Sequence, residues 1–432
     1  MRLVSTTNPR QRATFVQAIL EGIAPDGGRY VPEPLPCFRD VSALLDMDCQ
    51  TRSVEILLRF LGEEFSRDDV ESIVAKVFDI PTPLVRISSG MFALELGHGP
   101  SGSSKDFGAR FLAAMLEQIQ RRDPGLRTVL AATAGDTGGA LAQALHGLKG
   151  FRVALLYPEG RVSPVQERLM MPGGNILAYA VEGDFEACQR MVDACVADRE
   201  LARSIGLVPA GGANIARVLG LVPIWYELAA QLQALDLREA PVVSIPSGTG
   251  TTLCSGVLAW KTGLPIKAFV AASNANRALC DALEGQRRDS ERPVIPTLSN
   301  AMDVAFASDW ARIQKLFEDR PERLRTQIRW GSLDDAKTRQ AMWELSAAGY
   351  TPEPHTAVGY GVLRERIGLK EPGVFLATAH PAKFREQLER DMNLHAPVSP
   401  ALEATLANCL DPSIHRKSLP ADPQALRAAL LD

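Results

Sequence analysis

From residue 127 onward the chain alternates short β-rich runs with runs of helical period, and this cadence restricts the fold more than any other feature of the sequence. "RTVLAAT" leads through the turn "AGDTGG" into "ALAQALHGL"; "FRVALLYP" follows, and "NILAYAVEG" precedes "DFEACQRMVDACVAD". The pattern returns with "PVVSIPS", "GTGTT", "LCSGVLAWKTG", "PIKAFVAAS" and, near residue 374, "VFLATA". Parallel strands need a long crossover, usually a helix, so repeated strand–helix pairs predict a parallel sheet with helices on both faces. At 432 residues the chain is too long for one ordinary core, and its two blocks of this cadence predict two α/β domains.

The ends have a different texture. Up to about residue 80 the periodic segments "TFVQAILEGI", "SVEILLRFLG" and "DDVESIVAKVF" predict a mainly helical start. Beyond about residue 390, "HAPVSPALEATL" and "SLPADPQALRAALL" predict a helical addition. No run reaches the length of a membrane span, and the first residues lack the apolar stretch and small-residue cleavage site of a secretory signal, so the cytoplasm is the expected location and no membrane partner is expected. A formal charge of −4 gives no general surface for nucleic acid, because that binding needs clustered Lys and Arg. The seven cysteines are odd in number and contain no C-x-x-C pair, and the six histidines contain no H-E-x-x-H; neither a disulfide framework nor a metal site is expected.

Three turns rich in Gly, Ser and Thr could carry chemistry: residues 99–104, 134–139 and 247–252. In the last, Gly248 and Gly250 let backbone N–H groups converge, Thr249, Thr251 and Thr252 add hydroxyls, and the following helix offers its positive end. That is the chemistry of a phosphate cradle, although a tight structural turn has the same composition. The loop lacks the Lys of a Walker A motif and has Leu253 where a dinucleotide fingerprint needs its third Gly.

The first of these turns runs into Lys105, followed by apolar residues at Phe107, Phe111, Leu112, Met115, Leu116 and Ile119. The period predicts an amphipathic helix with Lys105 in its first turn and Ser103 or Ser104 as cap. A cation there opposes the helix dipole at a cost of about 0.3–1 kcal/mol. Either Lys105 is a surface residue with its charge in water, or it is an amine that works uncharged, suited to Schiff-base chemistry. A reactive amine, a phosphate cradle and a two-domain α/β body point jointly to pyridoxal phosphate.

A resemblance agrees. "LELGHGPSGSSKDFGARF", "TAGDTGG", "LYPEGRVSPVQE", "GGNI", "VEGDFEACQ", "NIARVLG", "TLSNAMDV", "YTPEPHTAVGY" and "TAHPAKF", in this order, resemble threonine synthases of the bacterial and fungal type, and the opening "STTNPRQRATFVQAILEGIAPDGGRYVPEPLP" is similar to that family's N-terminal segment. The resemblance spans nearly the whole chain. It implies a two-domain pyridoxal-phosphate enzyme of fold type II, the tryptophan-synthase-β-like fold, with helical N- and C-terminal additions. The expected division is an N-terminal segment 1–95, a smaller lobe 96–225 with the Schiff-base lysine, a larger cofactor-phosphate lobe 226–390 and a C-terminal extension 391–432.

The resemblance also implies roles. Lys105 becomes the Schiff-base lysine, and Gly248, Thr249, Gly250, Thr251 and Thr252 the cofactor-phosphate loop. Thr378 supplies the hydroxyl at the pyridine nitrogen, and Asp136 and Thr137 lie near the ring or the substrate carboxylate. Ser101, Thr133, Asn214 and Arg217 fall to the substrate, with Arg217 and Asn214 at its phosphate. The implied reaction converts O-phospho-L-homoserine and water into L-threonine and phosphate, with a small amino-acid substrate as the only partner and a monomer or homodimer as the assembly. His355, His380, Lys383, Ser163, Gln166 and Arg161 are secondary candidates.

The chain departs from the family pattern at Gly97, Ser101, Ser104 and Ala134, over 169–172 and 209–212, and in the "GTGTT" loop, where bulky or polar residues are usual. These departures keep two other readings open. One is a related lyase or β/γ-replacement enzyme acting on another activated amino acid; the other is a non-catalytic paralogue that binds the cofactor or an amino acid.

Overall fold

The computed structural model describes residues 2–235, 237, 239–286 and 293–431. Two parallel-rich sheets organise the chain. The larger has six strands in the order Ile328–Ser332, Ala268–Ser273, Val242–Pro246, Gly373–Ala377, Met91–Glu95 and Leu84–Ser88. All its neighbours are parallel except the last pair, an antiparallel hairpin. The smaller has five parallel strands in the order Lys417–Leu419, Ile176–Val181, Phe151–Pro158, Arg127–Ala132 and Leu207–Pro209. Its strand Arg127–Ala132 is buried along its whole length, as are Val242–Pro246 and Ala268–Ser273 in the other sheet. Strands covered on both faces cannot show alternation, which is why these segments read as continuous apolar runs.

The cadence of strands and helices is therefore as expected, and the fold is the two-lobed α/β arrangement. Residues at the expected lobe boundaries lie elsewhere. The hairpin Leu84–Ser88 and Met91–Glu95 pairs with Gly373–Ala377, so a boundary at 95 cuts the larger sheet. The helix Val222–Gln233 runs through residue 225 without a breaker. The run Ile215–Gln233 is apolar and long enough to cross a membrane by composition, yet 83% of its window is buried inside the protein. The C-terminal addition is not only helical: Lys417–Leu419 completes the smaller sheet beside Ile176–Val181, and Leu426 and Leu430 of the helix Pro423–Leu431 pack on that sheet with Val181, Cys188 and Val192. The N-terminal segment likewise contains an antiparallel sheet, with Arg2–Ser5 between Arg12–Ala13 and Tyr30–Glu33. Two- to four-residue strands are too short to leave a period-2 signal.

One long helix, Lys105–Arg122, joins the parts. Its Phe107, Phe111, Leu112, Met115, Leu116 and Ile119 are buried in the largest core cluster, which includes residues of both sheets and of the N-terminal segment. Gly108 on this helix is a point of close approach. A Cβ there would lie 2.8 Å from the carbonyl oxygen of Arg217, so only glycine lets the helix Ile215–Leu219 cross against the lysine helix.

Candidate active site

Lys105 is the first residue of its helix, and the loop before it is sewn to the end of the larger sheet. Ser104 N–H donates to the carbonyl of Thr378 at 2.7 Å, His380 N–H donates to the carbonyl of Gly102 at 2.9 Å, and Ser103 bridges Ala379. Gly97 belongs to this contact: a Cβ there would lie 2.5 Å from the backbone nitrogen of His380. The small residue at 97 thus admits backbone and opens no space for a ligand. Ser104 occupies the N-cap position without a capping hydrogen bond from its side chain, while the Ser103 hydroxyl accepts from the Lys105 N–H at 3.3 Å.

A cavity of about 180 Å³ lies between the lobes, walled by Ser104, Lys105, Thr133, Ala134, Thr137, Gly211, Gly212, Arg217, Thr249 and Thr251. Burial pulls the Lys105 amine down to about 8, helped by the positive charge of Arg217 and opposed by Asp136 and Asp309. The surface reading of Lys105 does not apply. Arg217 is 4% exposed, and its one described side-chain hydrogen bond is a 3.4 Å contact from Nη1 to the Ala210 carbonyl. Burial lowers its own pKa to about 10.

The loop Gly248–Thr252 has the cradle geometry. The strand Val242–Pro246 ends beside it, Gly250 takes φ +87°, and the helix Thr251–Lys261 starts with no side chain capping it. None of the described hydrogen bonds uses the backbone N–H of Gly250, Thr251 or Thr252. The Thr251 hydroxyl donates to Asp309 at 2.6 Å and lies 3.1 Å from that of Thr249; Asp309 is in turn held by Arg312. Gly248 is tight against Met302, and the Thr252 side chain is buried in the helix.

Asp136 begins the helix Asp136–Leu145 and sits behind the cavity in a charged network. Its carboxylate accepts from Lys383 Nζ at 2.5 Å and from Gln166 Nε2 at 2.9 Å, with the Ser103 hydroxyl 3.4 Å away. Burial alone would raise the Asp136 pKa, but the charge of Lys383 and the hydrogen bonds from Lys383 and Gln166 hold it at about 2. Gln166 also exchanges amide contacts with Asn300, donating at 3.3 Å and accepting at 2.8 Å. Next to Asn300, the Ala301 N–H donates to His355 Nε2 at 3.1 Å, so that nitrogen is unprotonated and Nδ1 carries the proton toward Glu353, 2.5 Å away.

The structure thus gathers Lys105, Thr133, Thr137, Thr249, Thr251 and Arg217 on one cavity wall, with Asp136 directly behind it. Other expected residues serve elsewhere. Asn214 is fully buried, with Nδ2 donating to the carbonyls of Ile19 and Pro209 at 2.9 and 2.8 Å and Oδ1 accepting from the Ala216 N–H at 3.1 Å; it is not among the cavity-lining residues. Its side chain is spent on capping the Arg217 helix and tying it to the N-terminal segment. Ser101 is buried behind the lysine loop, where its N–H donates to Asp106 at 3.0 Å. Thr133 lines the cavity, yet its hydroxyl oxygen accepts the N–H groups of Gly135 and Gly138 at 3.0 and 2.8 Å and shapes the turn. Thr378 meets the lysine loop through its backbone carbonyl. Ser163 and Gln166 form a capping box on the helix Pro164–Leu169. Glu353, Asn300 and Arg29 were not singled out in the sequence, although each lies inside one of the stretches that carry the resemblance.

The residues present fit pyridoxal phosphate. A low-pKa amine faces the cavity, the uncapped helix start at Thr251 offers N–H groups to a phosphate, and the Ser104 hydroxyl oxygen next to the amine is buried without a hydrogen-bond partner among the described residues. Comparison with known proteins agrees. Residues 77–378 match the family described as Pyridoxal-phosphate dependent enzyme, so the chain is of the pyridoxal-phosphate-dependent class. Residues 2–78 match Threonine synthase N terminus, and residues 356–430 match Threonine synthase, C-terminal. The threonine synthase of Escherichia coli is 39% identical with all of both chains covered, and its crystal structure superposes with a TM-score of 0.93, covering 100% of this chain and 99% of that one. A pyridoxal-phosphate-bound threonine synthase from Brucella melitensis is 29% identical, with a TM-score of 0.87 over 100% of this chain and 98% of that one. The chain belongs to the threonine synthase family.

Proposed function

We propose that this enzyme converts O-phospho-L-homoserine and water into L-threonine and phosphate, with pyridoxal phosphate held through Lys105. The observation that carries the site assignment is the Lys105 amine, lowered to about 8 at the cavity beside the buried guanidinium of Arg217. When bound, the cofactor supplies an electron sink for negative charge next to the amino carbon.

The chain's own residues do the rest. At pH 7 about one-tenth of an amine with a pKa near 8 carries no proton, far more than of an ordinary lysine, so Lys105 can accept one at the substrate's Cα or Cβ and return it. Its neutral form is favoured by burial, and Arg217 adds to that preference while its fork offers two parallel hydrogen bonds to a phosphate. The N–H groups at the start of the helix Thr251–Lys261 hold the cofactor phosphate, with the Thr249 and Thr251 hydroxyls beside them. The Thr378 hydroxyl serves the pyridine nitrogen as a neutral partner, which leaves that nitrogen less electron-poor than a carboxylate would. Asp136 stays ionised and keeps the Thr133–Thr137 turn in place. The substrate is a small amino acid; the site of action is the cytoplasm, with neither nucleic acid nor membrane as partner, and the assembly is a monomer or homodimer.

A second reading, a related lyase or replacement enzyme for another activated amino acid, draws on Ala134, Gly211, Gly212 and Ala213, which leave one stretch of the wall without bulky side chains. One experiment separates them. The purified holoenzyme is given O-phospho-L-homoserine while threonine and phosphate are assayed, with Lys105→Ala alongside. Equal release of the two products, lost in the variant together with the visible absorbance of the bound cofactor, is expected. Absorbance without threonine would transfer the enzyme to the second reading.

A further inference from the structure

The cavity has a second arginine, and it comes from the N-terminal segment. Arg29 immediately precedes the strand Tyr30–Glu33 and lines the same wall as Lys105 and Arg217. Its backbone is fixed on both sides: its N–H donates to the Thr6 hydroxyl at 2.9 Å, and its carbonyl accepts from the Thr6 N–H at 2.9 Å. Its Nε donates to the carbonyl of Ser308 at 3.3 Å. That anchor leaves both Nη groups, the open end of the fork, without a described hydrogen bond.

Neither the half-buried Arg29 nor the buried Arg217 has an ion-pair partner among the described residues, although other buried cations of the molecule do. Arg52 is held by Glu227, Lys383 by Asp136, and Arg312 by Asp309. Asp309 is the carboxylate whose charge reaches both Arg29 and Arg217, and it is already committed to Arg312 and the Thr251 hydroxyl. Two guanidinium groups that line one small cavity, neither with an ion-pair partner, offer an anion hydrogen bonds that no carboxylate takes up.

Their positions differ. Arg217 acts on the charge of Lys105 and packs behind it at Gly108, whereas Arg29 is influenced by Arg312, Asp309 and the rim residue Asp193. Arg217 thus meets the cavity from beside the lysine helix, and Arg29 meets it from the N-terminal segment, held at Ser308. The acidic groups on the helix Phe185–Ala197 make no described ion pair with Arg29, although the charge of Asp193 raises its proton affinity. Glu186 accepts the Ala305 N–H at 2.8 Å, burial favours its neutral form, and Asp193 is exposed and bonded to Gln189 at 2.8 Å.

We infer that Arg29 is a specificity-determining residue that joins Arg217 in clamping the phosphate at the far end of the substrate, so that the N-terminal segment forms part of the substrate site. This rests on the reading of the cavity as the site of a phosphorylated amino acid. A phosphate dianion offers enough acceptor oxygens for both guanidinium forks, and recognition from two sides distinguishes it from a neutral hydroxyl or a monoanionic carboxylate.

The test compares the holoenzyme with Arg29→Leu and Arg29→Lys, all with the cofactor site filled so that added phosphate cannot occupy it. Steady-state kinetics with O-phospho-L-homoserine are measured together with calorimetric titration of inorganic phosphate. Arg29→Leu is expected to raise KM and weaken phosphate binding by about tenfold or more with a much smaller change in kcat, and Arg29→Lys to recover part of the loss because it keeps the charge but not the fork. If both quantities stay within about twofold of the parent in both variants, or if the parent holoenzyme binds no phosphate, the inference is overturned. Should Arg29→Leu fail to fold, the lysine variant decides by the same two quantities. Should the parent make no threonine, the reaction assignment falls, while the phosphate titration still decides the role of Arg29.

Discussion

At the scale of single residues, the informative quantity is the proton affinity of Lys105. An ordinary lysine has a value of 10.5; burial, and then the charge of Arg217, lower this one to about 8. The shift favours the free amine, so in the cofactor-free protein Lys105 becomes reactive at a lower pH than the other lysines. Acetylation of the apo-protein, followed by peptide mass spectrometry across a pH series, should give a midpoint near 8 for Lys105, and Arg217→Gln should move it upward by removing a like charge. A midpoint above about 10 in the parent protein would sink this electrostatic account. The sequence signalled that Lys105 was out of place at a helix start, but a depressed pKa depends on burial and on a cation 112 positions away in the chain, and no local pattern reports either.

Among elements, the contact between the start of the helix Asp136–Leu145 and the short 3₁₀ turn Pro381–Phe384 holds the two lobes behind the cavity. Asp136 and Lys383 are 5% and 0% exposed, so their pair is a buried one. Removing one partner should therefore cost more than the pair itself contributes. Lys383→Met strands a buried carboxylate and is expected to cost about 3–5 kcal/mol in urea denaturation at neutral pH, with part recovered on adding Asp136→Asn. A cost below about 1 kcal/mol would show that the lobes do not depend on this contact. The pH dependence has a definite sign. The folded Asp136 value of about 2 lies below the ordinary 3.8, so its contribution is present above 3.8 and is lost as pH falls through 2. In the sequence Lys383 is only a secondary candidate; its burial became visible only when the segment after Gly373–Ala377 was placed against the smaller lobe.

For the whole molecule, the ends of the chain are structural parts of the lobes and not appendages. The N-terminal segment contributes Ile23 and Arg29 to the cavity wall, and Asn214 ties the Arg217 helix back to it. The C-terminal stretch closes one edge of the smaller sheet and covers its outer face with Leu426 and Leu430. Leu426→Ala should destabilise the protein by about 2–5 kcal/mol in denaturant titration, because the side chain is fully buried. A loss below about 1 kcal/mol would mean that this helix peels away before the lobe unfolds.

By itself the sequence determined the class of fold and its chemistry. Strands buried on both faces must be apolar runs, crossovers between parallel strands must be helical, and a glycine- and threonine-rich turn before a helix must expose N–H groups; each of these is a local requirement and is written locally. The ordered motifs brought the family with them. Tertiary structure decided which residues meet. Asn214 and Arg217 are three positions apart in "NIAR", yet one caps a helix and the other faces the cavity, because a five-residue helix turns their side chains to different neighbours. Gly97 is one of the departures from the family pattern, and the backbone of His380 fills the place its side chain would take. Arg29 has no periodic mark: it enters the site because a strand of the N-terminal sheet begins beside it, and long-range packing of this kind has no period in the chain that produces it.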